Sequence, residues 1–270
     1  MFYFACKERK LLLSIEKEIN MSKNHQSPNP VPAATILLLR PSDTQLEVFM
    51  VVRHHQIDFA SGALVFPGGK ADDQDFDDDL LPLIQSPNPD SNMRGAEVSA
   101  IREAFEECGI LLAYDQETDQ IIDGTRLESI QHYREPLNSG EVLLKDFLVK
   151  EKLKLACDQL TRFAHWITPE MMPKRFDTHF YLALAPQDHV AVHDGYESVD
   201  SVWISPDQAV QEAKAGKRTI IFPAPLLRAL WEKRNGQGSH QVPITVRCPL
   251  YVRSTSSGSP SGASDTLLLF

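Results

Sequence analysis

The run Arg102-Glu103-Ala104-Phe105-Glu106-Glu107-Cys108-Gly109-Ile110 constrains this chain more than any other stretch. At about 3.6 residues per turn, Glu103 and Glu107 stand one above the other, and Arg102 with Glu106 forms a second i, i+4 pair beside them. Val98, Ile101, Phe105 and Cys108 recur at spacings of three, four and three, so the opposite side is an apolar stripe that has to be covered. Gly109 supplies a left-handed residue at which such a helix stops. The pattern predicts a helix docked by its apolar face, with acids turned toward a cleft. Three carboxylates within two turns repel one another, with Arg102 the single cation among them, and a hard divalent cation relieves that repulsion. A solvated, Glu-rich surface helix is the competing reading of the same residues.

Upstream, Phe66-Pro67-Gly68-Gly69-Lys70 follows an apolar segment, and two adjacent glycines permit both a turn and the close approach of a ligand to the backbone. Together the two stretches resemble the signature of the Nudix hydrolases, G-x5-E-x7-R-E-U-x-E-E-x-G-U with U aliphatic. Arg102, Glu103, Glu106, Glu107, Gly109 and Ile110 match its second half, with Ala104 at the first U. Gly69 precedes Arg102 by thirty-three residues where the signature has fourteen, so the chain carries a nineteen-residue insertion inside the box. Counted back from Arg102, the early glutamate's position is held by Arg94, with Glu97 three residues later as a candidate substitute. The resemblance implies an α/β/α sandwich with a mixed central sheet. It also implies Mg²⁺ or Mn²⁺ as cofactor, held by Glu103, Glu106, Glu107 and the Gly69 carbonyl, with Arg102 positioning Glu106.

The long insertion resembles the coenzyme A-related branch of the family, the motif-19 type. Ala100 to Glu107, Trp166-Ile167-Thr168-Pro169 and Arg175-Phe176-Asp177-Thr178 support that branch. The coenzyme A signature L-L-T-x-R-[SA]-x3-R-x3-G-x3-F-P-G-G is partly kept: Arg53 is its first arginine, and Gly62 and Phe66 to Gly69 fall in register. Asp58 stands where its second arginine would, which removes a phosphate-facing guanidinium. Arg53, Gly68, Gly69, Arg175 and Asp177 are the expected substrate contacts, a structural ion pair being the alternative for the last two. Glu197, six residues before Trp203, resembles a loop glutamate that reaches the metal cluster or acts as base, and Glu103 is the other candidate base.

The expected reaction is hydrolysis of a phosphoanhydride bond in an X-linked nucleoside diphosphate, with coenzyme A or an acyl-coenzyme A as leading substrate. An ADP-sugar or dinucleotide diphosphatase is the alternative enzyme. A Nudix-fold nucleotide sensor that binds without cleaving is the alternative of another class.

A net charge of -10 without any basic run argues against nucleic acid as partner, leaving a small-molecule nucleoside diphosphate derivative. The four cysteines are scattered, without zinc spacing, which fits a reducing compartment, so the expected location is cytoplasmic. With 270 residues and 42% apolar content, one catalytic domain over about 31–235 is expected. Residues 1–30 form an extension, disordered or partly helical, in which Leu11-Leu12-Leu13 is too short for a membrane span and Met21 is an alternative start. Residues 236–270 form a Ser/Gly-rich tail, and the insertion occupies about 71–92.

Strands are expected at Ala33–Leu39, Val48–Arg53, Leu64–Phe66, Phe180–Ala185 and Val199–Ile204, with helices from Ser205 to Ala215 and over Pro223–Lys233. The aspartates between Asp72 and Asp79 read as a solvated insertion. At most one of His54 and His55 faces the cleft. His165 and His179 read as core or surface histidines flanking apolar segments.

Overall fold

The computed structural model describes residues 28–42, 45–53, 62–191 and 198–220, and the backbone of a two-residue strand at 244–245; of residues 53, 198 and 199 the backbone alone is described. His54, His55, Asp58, Glu197, the Pro223–Lys233 helix and both chain ends as far as residue 27 and from 246 lie outside the described residues.

Two long strands found the main sheet. β1 (Val31–Pro41) and β2 (Leu46–Arg53) pair antiparallel at one end, with Leu39 opposite Val48, and Arg40 donates to its cross-strand partner Glu47. β3 (Ala63–Val65) continues beside β2, and after the Phe66-Pro67 corner β4 (Gly68–Lys70) pairs with the first half of β1. β1 therefore leaves β2 and takes up β4 along a single edge, which aims the doubled glycine at whatever lies over the sheet.

The insertion begins with two 3-10 turns, Asp73–Phe76 and Asp78–Leu83. It then leads into α1 (Ser91–Cys108), whose first amides are capped by Asp90. Gly109 ends α1 in the left-handed conformation, as its position predicts. Val98, Ile101, Phe105 and Cys108 are all buried, so the expected apolar stripe is the one that docks.

A small second sheet, β6-β5-β7, is made of β5 (Ala113–Asp115), β6 (Gln120–Ile121) and β7 (Leu153–Leu155). Between β6 and β7 run the short helices α2 (Gly124–Ile130), α3 (Arg134–Asn138) and α4 (Leu144–Lys150). β8 (Thr161–Ile167) and β9 (Phe176–Leu184) return to the main sheet as an antiparallel pair, β9 lying parallel to β1. β10 (Ser198–Ile204) pairs with β2, α5 (Pro206–Lys214) follows, and β11 (Thr219–Ile220) and β12 (Ile244–Thr245) complete the sheet.

The result is a mixed sheet with an apolar core on each face. Ala34, Ile36 and Leu38 of β1 turn to the α1 side, and Leu37 and Leu39 turn to the side that α5 covers through Ala209. A strand buried on both faces is the center of a layered α/β fold, in agreement with the α/β class read from the sequence. Observed strand ends differ from the expected ones by a few residues, because pairing continues past the apolar run, as at Phe176–Thr178 beside Val31–Ala33. No helix among the described residues is long and apolar enough to cross a membrane.

Candidate active site on the acidic face of α1

The doubled glycine sits directly beneath the acids of α1. Gly68 has φ near +150, and a Cβ there would come within 2.3 Å of the Ala34 carbonyl oxygen. Its N–H donates to Glu107 Oε2 at 3.0 Å. A Cβ on Gly69 would lie 2.7 Å from both carboxylate oxygens of Glu103. Gly68 admits no side chain, and one at Gly69 would have to push the Glu103 carboxylate aside, so the turn and the helix lie in close contact.

Arg102 organizes the other side. Its Nε and Nη2 donate to the two oxygens of Asp75, each at 2.9 Å, and Nη1 donates to Glu106 Oε2 at 2.8 Å. Nη2 also reaches the Lys70 carbonyl at 3.0 Å, while Glu103 Oε1 lies 3.1 Å from Nη1 and Asp72 Oδ2 lies 3.8 Å from Nη2. One guanidinium thus ties the β4 backbone, the insertion and two acids of α1 together, which a bidentate fork does better than an ammonium would. Its own proton affinity is raised further by Asp75, Glu103 and Glu106 against the cost of burial.

This cluster is buried and over-supplied with acid. Desolvation lifts the Glu103 carboxyl to about 8 and Glu106 to about 7, with Arg102 pulling both down, and burial raises Asp75 as well. Glu106 Oε1 is buried and accepts no hydrogen bond. An unsatisfied carboxylate oxygen and neighboring acids that are hard to ionize are features a divalent cation satisfies. The donor set, oxygen throughout, fits a hard ion. In this state the acids are held separately: Glu106 by Arg102, Glu107 by the Gly68 amide, Glu103 over Gly69.

Asp75 is the residue the sequence reading missed. The Asp72–Asp79 run was read as a solvated insertion, but the Asp75 side chain is fully buried against Arg102. Counting the signature forward from Gly69 lands on Asp75 at the early acid's position. Twenty-six residues, 76–101, then separate it from Arg102 where the signature has seven, so the extra residues follow Asp75. Arg94, reached by the backward count, instead pairs with Asp78 and donates to the Asn88 carbonyl, while Glu97 accepts from Asn88. Phe76 secures the arrangement, its ring lying 2.2 Å from where a Cβ on Gly95 would be.

The other expected contacts lie elsewhere. Arg175 donates to the main-chain carbonyls of Thr168 and Pro28, and Asp177 pairs with His165 on β8. Both belong to β9 or its approach, two strands from β4. Arg53 is the last residue of β2, its backbone opposite Ser198.

A family model for the NUDT19 Nudix domain matches residues 89–228, from the start of α1 to beyond β11. The chain belongs to that family. Acyl-coenzyme A diphosphatase NUDT19 of Xenopus laevis is 25% identical over 220 residues, covering 66% of this chain and 57% of that protein. The chain therefore spans little more than half the length of that relative. A putative nudix hydrolase 7 of Caenorhabditis elegans is 27% identical over 236 residues, 82% of this chain and 68% of that one. Among solved structures, a NUDIX hydrolase from Alicyclobacillus acidocaldarius superposes with a TM-score of 0.61 at 25% identity, covering 75% of this chain and 91% of that one. Nudix hydrolases generally use divalent metals, and the acidic face of α1 lies inside the matched segment.

Proposed function

We propose that the chain is a divalent-metal-dependent hydrolase of phosphoanhydride bonds in X-linked nucleoside diphosphates, with coenzyme A or an acyl-coenzyme A as substrate. The observation that carries the reading is the buried junction of Arg102 with Glu103 and Glu106 against Gly69, set in a NUDT19 Nudix domain. The frog relative's name supports the coenzyme A branch.

Glu103, Glu106, Glu107 and the Gly69 carbonyl would hold Mg²⁺ or Mn²⁺. When bound, such an ion supplies Lewis-acid charge toward the diphosphate oxygens and a water of lowered pKa. The protein's own groups do the rest. Arg102 holds Glu106 and ties it to the β4 backbone. Gly68 and Gly69, lacking side chains, let the turn come up against β1 and the Glu103 carboxylate. Glu103 and Glu197 are the two candidates to take the proton of the attacking water. Arg53 is proposed to meet the remainder of the substrate, while Arg175 and Asp177 are engaged by main-chain carbonyls and by His165. Two buried cysteines, Cys108 and Cys157, accord with a reducing setting such as the cytoplasm.

The test is a panel of coenzyme A, acetyl-coenzyme A, ADP-ribose, NADH and nucleoside triphosphates with Mg²⁺, read by product release. The coenzymes are expected to give the highest kcat/KM, yielding 3′,5′-ADP and a phosphopantetheine product. Coenzymes ranking last would overturn the branch and leave an ADP-sugar or dinucleotide diphosphatase. Tight binding without turnover of any compound would make the domain a sensor.

A further inference from the structure

We propose that His165, Asp177 and His179 form a second divalent-cation site, suited to a borderline transition metal of the Zn²⁺ class and separate from the acidic face of α1. The β8–β9 register sets His165 directly opposite His179, and Asp177, two residues before His179, points to the same face of the sheet. One ligand-type atom from each of the three lies within 4.8 Å of the others, the one such grouping of three or more His, Cys, Asp or Glu among the described residues. The imidazole rings stack at 4.2 Å with 7° between their planes, and His165 Nε2 is hydrogen-bonded to Asp177 Oδ1.

An ordinary His–Asp pair accounts for His165 and leaves His179 unexplained. That ring is 8% exposed, and its Nδ1 is buried without a hydrogen-bond partner. With its proton on the other ring nitrogen, that unpartnered Nδ1 offers the lone pair a metal needs. His165 and Asp177 are a quarter and a third exposed, which leaves a path for the ion and room for water in its remaining positions.

Two imidazole nitrogens and one carboxylate are the donors of three-ligand sites that bind Zn²⁺ and similar ions with open positions, whereas Mg²⁺ selects oxygen. Asp90, the cap of α1, adds a favorable charge toward His179, and Arg162 an opposing one. Ala34 pairs with Gly69 on one side and with His179 on the other, so the cluster continues the row of the β4 glycine across the same sheet face.

The experiment uses the untagged full chain, stripped of metal and held in excess Mg²⁺, titrated with Co²⁺ and read by its visible ligand-field bands. A single equivalent of Co²⁺ is expected to bind, to yield to Zn²⁺ and to resist Mg²⁺. Loss of a second-shell partner alone commonly weakens a metal by about 10- to 100-fold, so His165→Gln and Asp177→Asn should each weaken Co²⁺ by at least about tenfold. Glu107→Gln should leave it bound. Because His179 is a core residue, its involvement is read in the wild-type protein, where bound Co²⁺ should shift its ring-proton resonances. Unchanged affinity in both hairpin variants, unshifted His179 resonances or loss of Co²⁺ in Glu107→Gln would each overturn the site. The hydrolase reading is scored separately by Mg²⁺-dependent turnover.

Discussion

At the acidic face of α1 four carboxylates surround one guanidinium, whereas on the β8–β9 hairpin one carboxylate accompanies two neutral imidazoles. The hairpin donors already lie within 4.8 Å of one another. The helix acids, each held by a different anchor, do not share a point. Charge explains the contrast: neutral ligands can assemble without their ion, while clustered carboxylates repel until a cation arrives and must meanwhile be restrained by Arg102 and the Gly68 amide. The acid cluster is thus braced by its surroundings, and the histidine pair by strand register.

The largest effect should come from breaking the acid side of that contrast. Glu107→Gln is expected to lower kcat for the hydrolyzed diphosphate by about three orders of magnitude, the equivalent of several kcal/mol of transition-state charge stabilization. Steady-state product release measures this, and a change within a fewfold would place the helix in the scaffold.

Moving the floor under the acids comes next. Gly69→Ala puts a methyl 2.7 Å from the Glu103 carboxylate, and displacement by about 1 Å can cost about 100-fold in rate. Kinetics of a variant with an unaltered melting curve would isolate the effect, and wild-type activity would show that Glu103 need not sit where it does.

Removing the brace is a test of stability. Asp75→Ala takes away the bidentate partner of buried Arg102 and should cost about 3 kcal/mol in denaturant unfolding. A loss below about 0.5 kcal/mol, the scale of an exposed pair, would mean that the remaining acids suffice.

The smallest effect sets the two regions against each other by pH. Glu103 and Glu106 titrate near 8 and 7, above their ordinary 4.5, so the metal-free fold binds more protons there than the unfolded chain. Their contribution is complete below pH 4.5 and is lost as pH rises through 7 and 8. His179 acts with the opposite sign: held near 4 against an ordinary 6.5, it withdraws stability as pH falls through that interval. Thermal melts in a chelator should therefore fall as pH rises from about 4.5 toward 8, because over the shared interval two acids outweigh one imidazole, and Mg²⁺ should restore the alkaline side. A melt that keeps rising to alkaline pH in the chelator would contradict the buried acids.

Much of the catalytic region was legible in the chain because it is local. The apolar and acidic positions of α1 follow the helical period, Gly109 marks its end, and Gly68-Gly69 declares a turn. Asp75 was obscured by its company, one aspartate among several, and by an insertion whose place within the box spacing cannot fix. Its partner lies twenty-seven residues away, and burial by Phe76 is a tertiary event. The histidine pair was hidden for a related reason: its register is set by cross-strand pairing with an irregularity between Arg162 and Ala164, which strand periodicity alone does not predict.

The most direct test of the central claim is anomalous diffraction from crystals grown with Mn²⁺ and a diphosphate product. The account predicts a manganese peak about 2.1 Å from carboxylate oxygens of Glu103, Glu106 or Glu107, beside the Gly69 carbonyl and the product's phosphates. A product bound with no manganese between it and α1 would contradict it.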